Sequence, residues 1–335
     1  MRFRVLFLIL PSFVIVSCIL TYILFINLNN LVLGIIFSII SIFVGLILFK
    51  TGIHSTLSHF KNISKDTIDI QKVEITLDDG VKTVGNFYRS VFETVLTPNG
   101  QRYPEPRPVI IFFHGFWTRK EIYEVNLINL AHLGYLAVAF DQRGHGEAGG
   151  KKNDWYKLYN DVETIIDSVC SFEDTKVGSL CCIGISMGGT SVLTKCYQDE
   201  RVAMVVGISA LHNADLLLEA KFRFLSAGWF VSHQISKVKD KRALKICARY
   251  FLKSDPKFNK DRVYLIHGNN DKIFPPSLTF KLNKEQANIP DNHAILLKNC
   301  GHSLEGQDLL IFGIIVKWIL ENGAMNLKIV NNSKS

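Results

Sequence analysis

The residues best placed to do chemistry lie in Gly184-Ile185-Ser186-Met187-Gly188-Gly189. A G-x-S-x-G between an apolar stretch and a helical one folds as a tight strand-to-helix elbow that lifts the serine oxygen clear. Glycines suit that turn because it is strained and a Cβ would clash with neighbouring backbone. The serine then stands at a helix N-terminus, where free N–H groups favour developing negative charge. The competing reading of so short a pattern is a glycine-rich turn with an idle serine.

A serine hydroxyl is a weak nucleophile without a base, so a histidine and an acid to orient it must follow. The expected chain order is serine, acid, histidine. His302 lies in Asn299-Cys300-Gly301-His302-Ser303, between an apolar strand and the last helix. Asp271 ends His267-Gly268-Asn269-Asn270-Asp271, directly after the penultimate strand. Both sit at C-terminal strand ends, where open α/β sheets collect their sites. Asp215, after the preceding strand, is the rival acid. His132 and His293 read as ordinary helix and strand residues, while His54 and His59 fall in an early linker.

An acyl-transfer oxyanion needs two donors. The Met187 N–H is one candidate and the Phe116 N–H, in His114-Gly115-Phe116, is the other. The alternative for that segment is a structural turn in which His114 only bonds neighbouring loops. No cysteine sits in an elbow, so none is assigned a catalytic role, and this chemistry requires no metal or organic cofactor.

The elements that must position these residues alternate. Residues 72–77 and 81–89 read as a hairpin about Asp78-Asp79-Gly80, and 92–108, with four prolines, as an irregular excursion. Strands are then expected at 109–113, 135–140, 180–185, 202–209, 263–267 and 294–297. Helices are expected at 120–133, 155–172, 188–198, 278–285 and 304–321. Short apolar strands alternating with helices specify a mostly parallel sheet covered on both faces. A helical, aromatic-rich insertion at 210–261 interrupts the pattern, and residues 323–335 form a polar tail.

The hydrophobic fraction is 48%, with the excess at the start of the chain. Residues 5–26 and 31–49 carry no charge and approach the roughly 20 residues that cross a membrane as helix. A tight transmembrane hairpin is expected there, followed by a linker at 51–71. Arg2, Arg4, Lys50, Lys61 and Lys65 flank it, which puts both ends and the catalytic domain at 72–322 on the cytoplasmic side. A cleaved signal peptide is the competing reading, but a second apolar run follows the first. Seven cysteines without framework spacing read as reduced thiols. The net charge of +8 is concentrated at 219–262, with twelve Lys/Arg against four Asp/Glu. That suggests either membrane lipid head groups as a partner or a solvated helical face, and no motif for nucleic acid accompanies it.

Five ordered segments carry a family resemblance: Phe112-Phe113-His114-Gly115-Phe116, Asp141-Gln142-Arg143-Gly144-His145-Gly146, Gly184–Gly189, Leu265-Ile266-His267-Gly268-Asn269-Asn270-Asp271 and Cys300-Gly301-His302. Together they resemble the α/β hydrolases, closest to the branch of monoacylglycerol-lipase-like esterases and serine aminopeptidases. The resemblance spans about 72–321 and implies an α/β-hydrolase fold with a cap over the site at 210–261. It implies bracing roles for Asp141 and Arg143. Glu147 departs from the serine that relatives often carry after Gly-His-Gly. Phe222, Phe224, Trp229, Phe230 and Phe251 of the cap would line an acyl tunnel or simply pack the cap down. The expected activity is hydrolysis of a small-molecule acyl ester by Ser186, His302 and Asp271. A peptidase on short or acylated peptides is the alternative, as is a non-catalytic scaffold on the same fold.

Overall fold

The computed structural model describes residues 66–219 and 238–327, together with Phe43, Ile235 and Ser236. The chain enters through an antiparallel hairpin, β1 (Ile68–Thr76) and β2 (Lys82–Ser90), in which Lys72 opposes Asn86. The excursion expected to be irregular contains a small hairpin of its own, β3 (Val95–Thr97) and β4 (Gly100–Arg102). The Thr97 hydroxyl donates to the Gly100 carbonyl across its turn.

From there strands and helices alternate. β5 (Arg107–Phe113), α1 (Glu124–His132), β6 (Leu136–Phe140), α2 (Trp155–Cys170) and β7 (Thr175–Ile185) follow in order. Then come α3 (Met187–Ser191), β8 (Val202–Ile208) and the short helices α4 (Ala214–Glu219), α5 (Ala248–Phe251) and α6 (Pro256–Asn259). The chain closes with β9 (Val263–Gly268), α7 (Phe280–Ala287), β10 (Ala294–Leu297) and α8 (Asp308–Glu321). One eight-stranded sheet runs in the order β1-β2-β6-β5-β7-β8-β9-β10. Only the pairs β1–β2 and β2–β6 are antiparallel.

The apolar runs are unbroken because these strands are buried on both sides. Successive side chains point to opposite faces. Val109, Ile111 and Phe113 enter one core with Leu136, Val138 and the inner stripe of α2, while Ile110 and Phe112 enter the other with α1 and α8. Each such fully buried aliphatic side chain contributes roughly 1.5–3 kcal/mol. On α2 the stripe is Val162, Ile165, Ile166 and Val169, at helical spacing.

The two-pass membrane arrangement is corrected. Among the described residues no helix is long and apolar enough to cross a membrane. The longest, α2, has 16 residues where about 20 are needed. The runs at 5–26 and 31–49 on which that expectation rested lie outside the described residues, except for Phe43. The cytoplasmic placement of both ends falls with it. The linker histidines His54 and His59, and Phe222, Phe224, Trp229 and Phe230 of the cap, also lie outside the described residues.

Candidate active site

Ser186 follows β7 near the middle of the sheet, with a left-handed φ of 56°. A non-glycine residue there costs of order 1–3 kcal/mol unless its surroundings hold it. The Ser186 N–H donates to the Ile208 carbonyl at 2.8 Å and its carbonyl accepts from the Thr190 N–H at 2.9 Å, which pins the turn to the next strand and the next helix. The flanking glycines leave no room for anything larger. A Cβ at Gly184 would lie 2.3 Å from the Gly188 oxygen, and one at Gly188 would lie 2.1 Å from the Phe113 oxygen. The helix begins at Met187, one residue earlier than expected, and continues as a π turn over Val192–Cys196.

The structure brings the three expected side chains together. His302 Nε2 is 2.7 Å from Ser186 Oγ, and His302 Nδ1 is 2.7 Å from Asp271 Oδ2. An ionised carboxylate only accepts, so Nδ1 carries the proton and Nε2 is left to accept the serine O–H. Asp271 Oδ1 accepts from the N–H groups of Ile273 and Phe274 at 2.8 and 2.9 Å. Burial by itself would raise the Asp271 pKa, but hydrogen bonds from His267 and His302 outweigh it and hold the carboxyl well below the usual carboxylate range. Asp215 stands apart: it lies half exposed on α4, 3.8 Å from Lys245. His132 ends α1, and His293 lies in a single 3-10 turn before β10, its ring against Tyr264.

Two loops carry the acid and the base, and their backbones are laced together. Asn270 N–H donates to the Cys300 carbonyl at 2.9 Å, and the Ser209 hydroxyl donates to the His302 carbonyl at 3.0 Å. The Phe274 ring stands edge-on to the His302 ring, centroids 5.0 Å apart. Ser209 and Phe274 escape a motif reading because their positions matter only after the strands are assembled. His267 escapes it too: its Nε2 is 3.1 Å from Asp271 Oδ2.

On the opposite side of the serine runs the loop after β5. A Cβ at Gly115 would make ordinary contacts, 3.5 Å to the Ile185 oxygen and 3.7 Å to Ser186 Cβ, so the loop passes beside the serine without requiring glycine for space. Met187 opens its helix, so its N–H has no intrahelical acceptor. The Phe116 N–H belongs to the loop that faces it. His114 is fully buried and ties loops together. Its Nδ1 donates to the Gly115 carbonyl at 2.8 Å, and its Nε2 accepts from the Gln142 N–H at 2.9 Å. Burial holds its pKa down at about 4. Asp141 and Arg143 do brace: Asp141 accepts from Lys120 Nζ at 2.7 Å and the Glu147 N–H at 2.9 Å, and Arg143 clamps Asp161 and Asp79. The departing residue Glu147 closes this group through Lys120 Nζ at 2.7 Å.

A cavity of about 940 Å³, counting its opening to solvent, rises above Ser186 and His302. Its lining is aromatic at Phe116, Trp117, Trp155, Tyr159 and Phe274 and aliphatic at Leu211, Ile235, Val238, Leu244, Ile246 and Ile273. Among the described residues that line it, none is charged at neutral pH apart from what His302 can carry. Of the two roles open to the cap aromatics, Phe251 takes the packing one, against Leu158, Met187 and Ile246.

A model of the serine aminopeptidase S33 family (Hydrolase_4) matches residues 104–261, a span that includes Ser186 and stops before Asp271 and His302. A curated relative, a monoglyceride lipase homolog of monkeypox virus, is 30% identical over 115 residues, which are 33% of this chain and 41% of that protein. Among solved structures, Est1E from Butyrivibrio proteoclasticus with bound ferulic acid superimposes with a TM-score of 0.55 at 18% identity, covering 75% of this chain and 98% of that one. A puromycin-hydrolysing peptidase of Mycobacterium tuberculosis superimposes with a TM-score of 0.58 at 15% identity, covering 77% of this chain and 39% of that one. With the strand order, the elbow and these likenesses in place, the chain has the α/β-hydrolase fold.

Proposed function

We propose that the protein is a serine hydrolase cleaving an ester of an uncharged, apolar acyl group. The observation that carries this reading is His302 bridging Ser186 and Asp271, at 2.7 Å to each, at the floor of an apolar cavity. In this mechanism Ser186 Oγ attacks the ester carbonyl carbon while its proton passes to His302 Nε2. The N–H groups of Met187 and Phe116 bind the oxyanion. The carbon–oxygen bond to the alcohol then breaks, and the leaving alkoxide takes the proton from His302. Water, deprotonated by the same nitrogen, attacks the acyl carbon; the bond to Ser186 Oγ then breaks, Oγ takes the proton back from His302 Nε2, and the acid leaves. Asp271 stays ionised throughout and holds the ring.

A peptidase acting on free N-termini is the second reading, favoured by the description of the matched family model. It needs a carboxylate to meet the substrate ammonium, because a buried charge without a partner is costly. No Asp or Glu lines the cavity among the described residues, which favours the ester. Ser186→Ala should abolish covalent labelling by a fluorophosphonate probe while leaving the circular dichroism spectrum unchanged; labelling that persists overturns the nucleophile. Turnover of p-nitrophenyl acyl esters and of a monoacylglycerol, set against aminoacyl amides, separates the two readings. Preference for the amides would overturn the ester assignment.

A further inference from the structure

His267 is a buried, titratable side chain that the mechanism above leaves unused. It belongs to β9, where its backbone pairs with Leu296 of β10, and only 1% of it is exposed. Its Nε2 lies 2.8 Å from the Phe274 carbonyl and 3.1 Å from Asp271 Oδ2. Both neighbours are acceptors, so that nitrogen carries a proton, which it donates to the Phe274 carbonyl with the carboxylate oxygen close beside it. The oxygen it reaches is the one that receives His302 Nδ1. The Phe280 ring packs beside the imidazole, centroids 5.9 Å apart, and holds it in the strand layer.

We propose that His267 is a positioning residue: its N–H fixes the Asp271 carboxylate and draws off part of the charge on the oxygen that orients His302. The inference rests on the acid and base roles proposed above. Asp271 then has two backbone donors on Oδ1 and two imidazoles against Oδ2, and cannot rotate to release His302 without breaking a buried hydrogen bond. The contact has an electrostatic consequence as well. A donor on the shared oxygen weakens the attraction between that carboxylate and an imidazolium, so its loss should register in the pH dependence of the reaction. The titratable groups set against this carboxylate are His267 from β9 and His302 from the loop after β10.

The test uses the full chain with His267→Gln, which keeps a donor, and His267→Ala, which keeps none. The pH profile of kcat/KM is measured on a p-nitrophenyl ester, alongside fluorophosphonate labelling at fixed pH and thermal unfolding. For His267→Ala the acid limb should move to higher pH, with kcat falling about tenfold at neutral pH and KM nearly unchanged. His267→Gln should recover most of both, and both variants should still be labelled at Ser186. The downfield N–H proton of His302, followed by NMR without substrate, should exchange faster in His267→Ala than in His267→Gln. A limb that stays in place in both variants, or a Gln variant no better than Ala, overturns the positioning role. Loss of ester turnover by the parent, or labelling that survives Ser186→Ala, overturns the hydrolase reading and this role with it.

Discussion

The ring of Phe116 stacks on the indole of Trp155, centroids 5.1 Å apart and planes 27° from parallel. Phe116 belongs to the loop that passes beside Ser186, and Trp155 is the first residue of α2. The pair therefore ties the loop carrying one candidate oxyanion donor to a helix in the main body of the fold. Both residues also line the cavity.

Removing that stack should cost catalysis. An aromatic pair contributes about 0.5–1.5 kcal/mol beyond area burial. Trp155→Ala should accordingly lower kcat/KM roughly two- to tenfold. Trp155→Phe should recover most of the loss. Steady-state kinetics on an acetate ester, too short to touch the far wall, isolates the effect on the loop.

An apolar cavity ranks substrates by chain length. Each buried methylene is worth about 0.8 kcal/mol, so kcat/KM should rise up to roughly fourfold per carbon until the cavity is filled. Ala243 is buried in the lining, and Ala243→Phe should shift the plateau to shorter acyl chains. A p-nitrophenyl ester series from C2 to about C12 reads both effects. A flat series in the parent would contradict burial of the acyl group.

The two candidate acids separate by substitution. Asp271→Asn should lower kcat by about three to four orders of magnitude, because the amide no longer enforces the proton on His302 Nδ1. Asp215→Asn should leave kcat within about twofold, since among the described residues its close charged partner is the exposed Lys245, 3.8 Å away. Paired kinetics with a thermal unfolding control makes the comparison.

Acid should weaken the fold through His114. Its folded pKa of about 4 lies below the ordinary 6.5, so between those values the unfolded chain binds a proton that the native chain does not. Stability then rises with pH across the window and falls on acidification, by up to about 3 kcal/mol from this residue. Above about pH 6.5 the contribution is flat. Asp271, with its depressed pKa, acts lower still: its contribution is present above the ordinary carboxylate pKa and is lost only as pH falls below it. Denaturant melts at pH 7, 5.5 and 4 should show the decline beginning near 6.5, with a shallower slope in His114→Gln.

Much of the sheet was legible in advance because its strands are apolar on both sides. The run at 109–113 could only be a doubly covered strand, and β5 is one. The small hairpin of β3 and β4 was hidden by the prolines around it, which mark irregularity more loudly than three-residue strands mark order. The N-terminal apolar runs illustrate the opposite hazard. Length and hydropathy describe what a segment is made of, and among the described residues no helix matches the membrane span they suggested.

By itself the sequence determined the elbow, since Gly184 and Gly188 sit where a Cβ would strike backbone within the same turn or on the adjoining strand end. It also placed His302 and Asp271 at strand ends in the right order. Only the tertiary structure set Asp271 rather than Asp215 against His302 Nδ1, placed Ser209 and Phe274 beside His302, and brought His267 next to the Asp271 carboxylate. The reason is physical. The elbow is written in neighbouring residues, Gly184 to Gly188, even where the atom that a Cβ would meet lies on the adjoining strand. A hydrogen bond between side chains from different strands depends on sheet order and register, which no local pattern encodes.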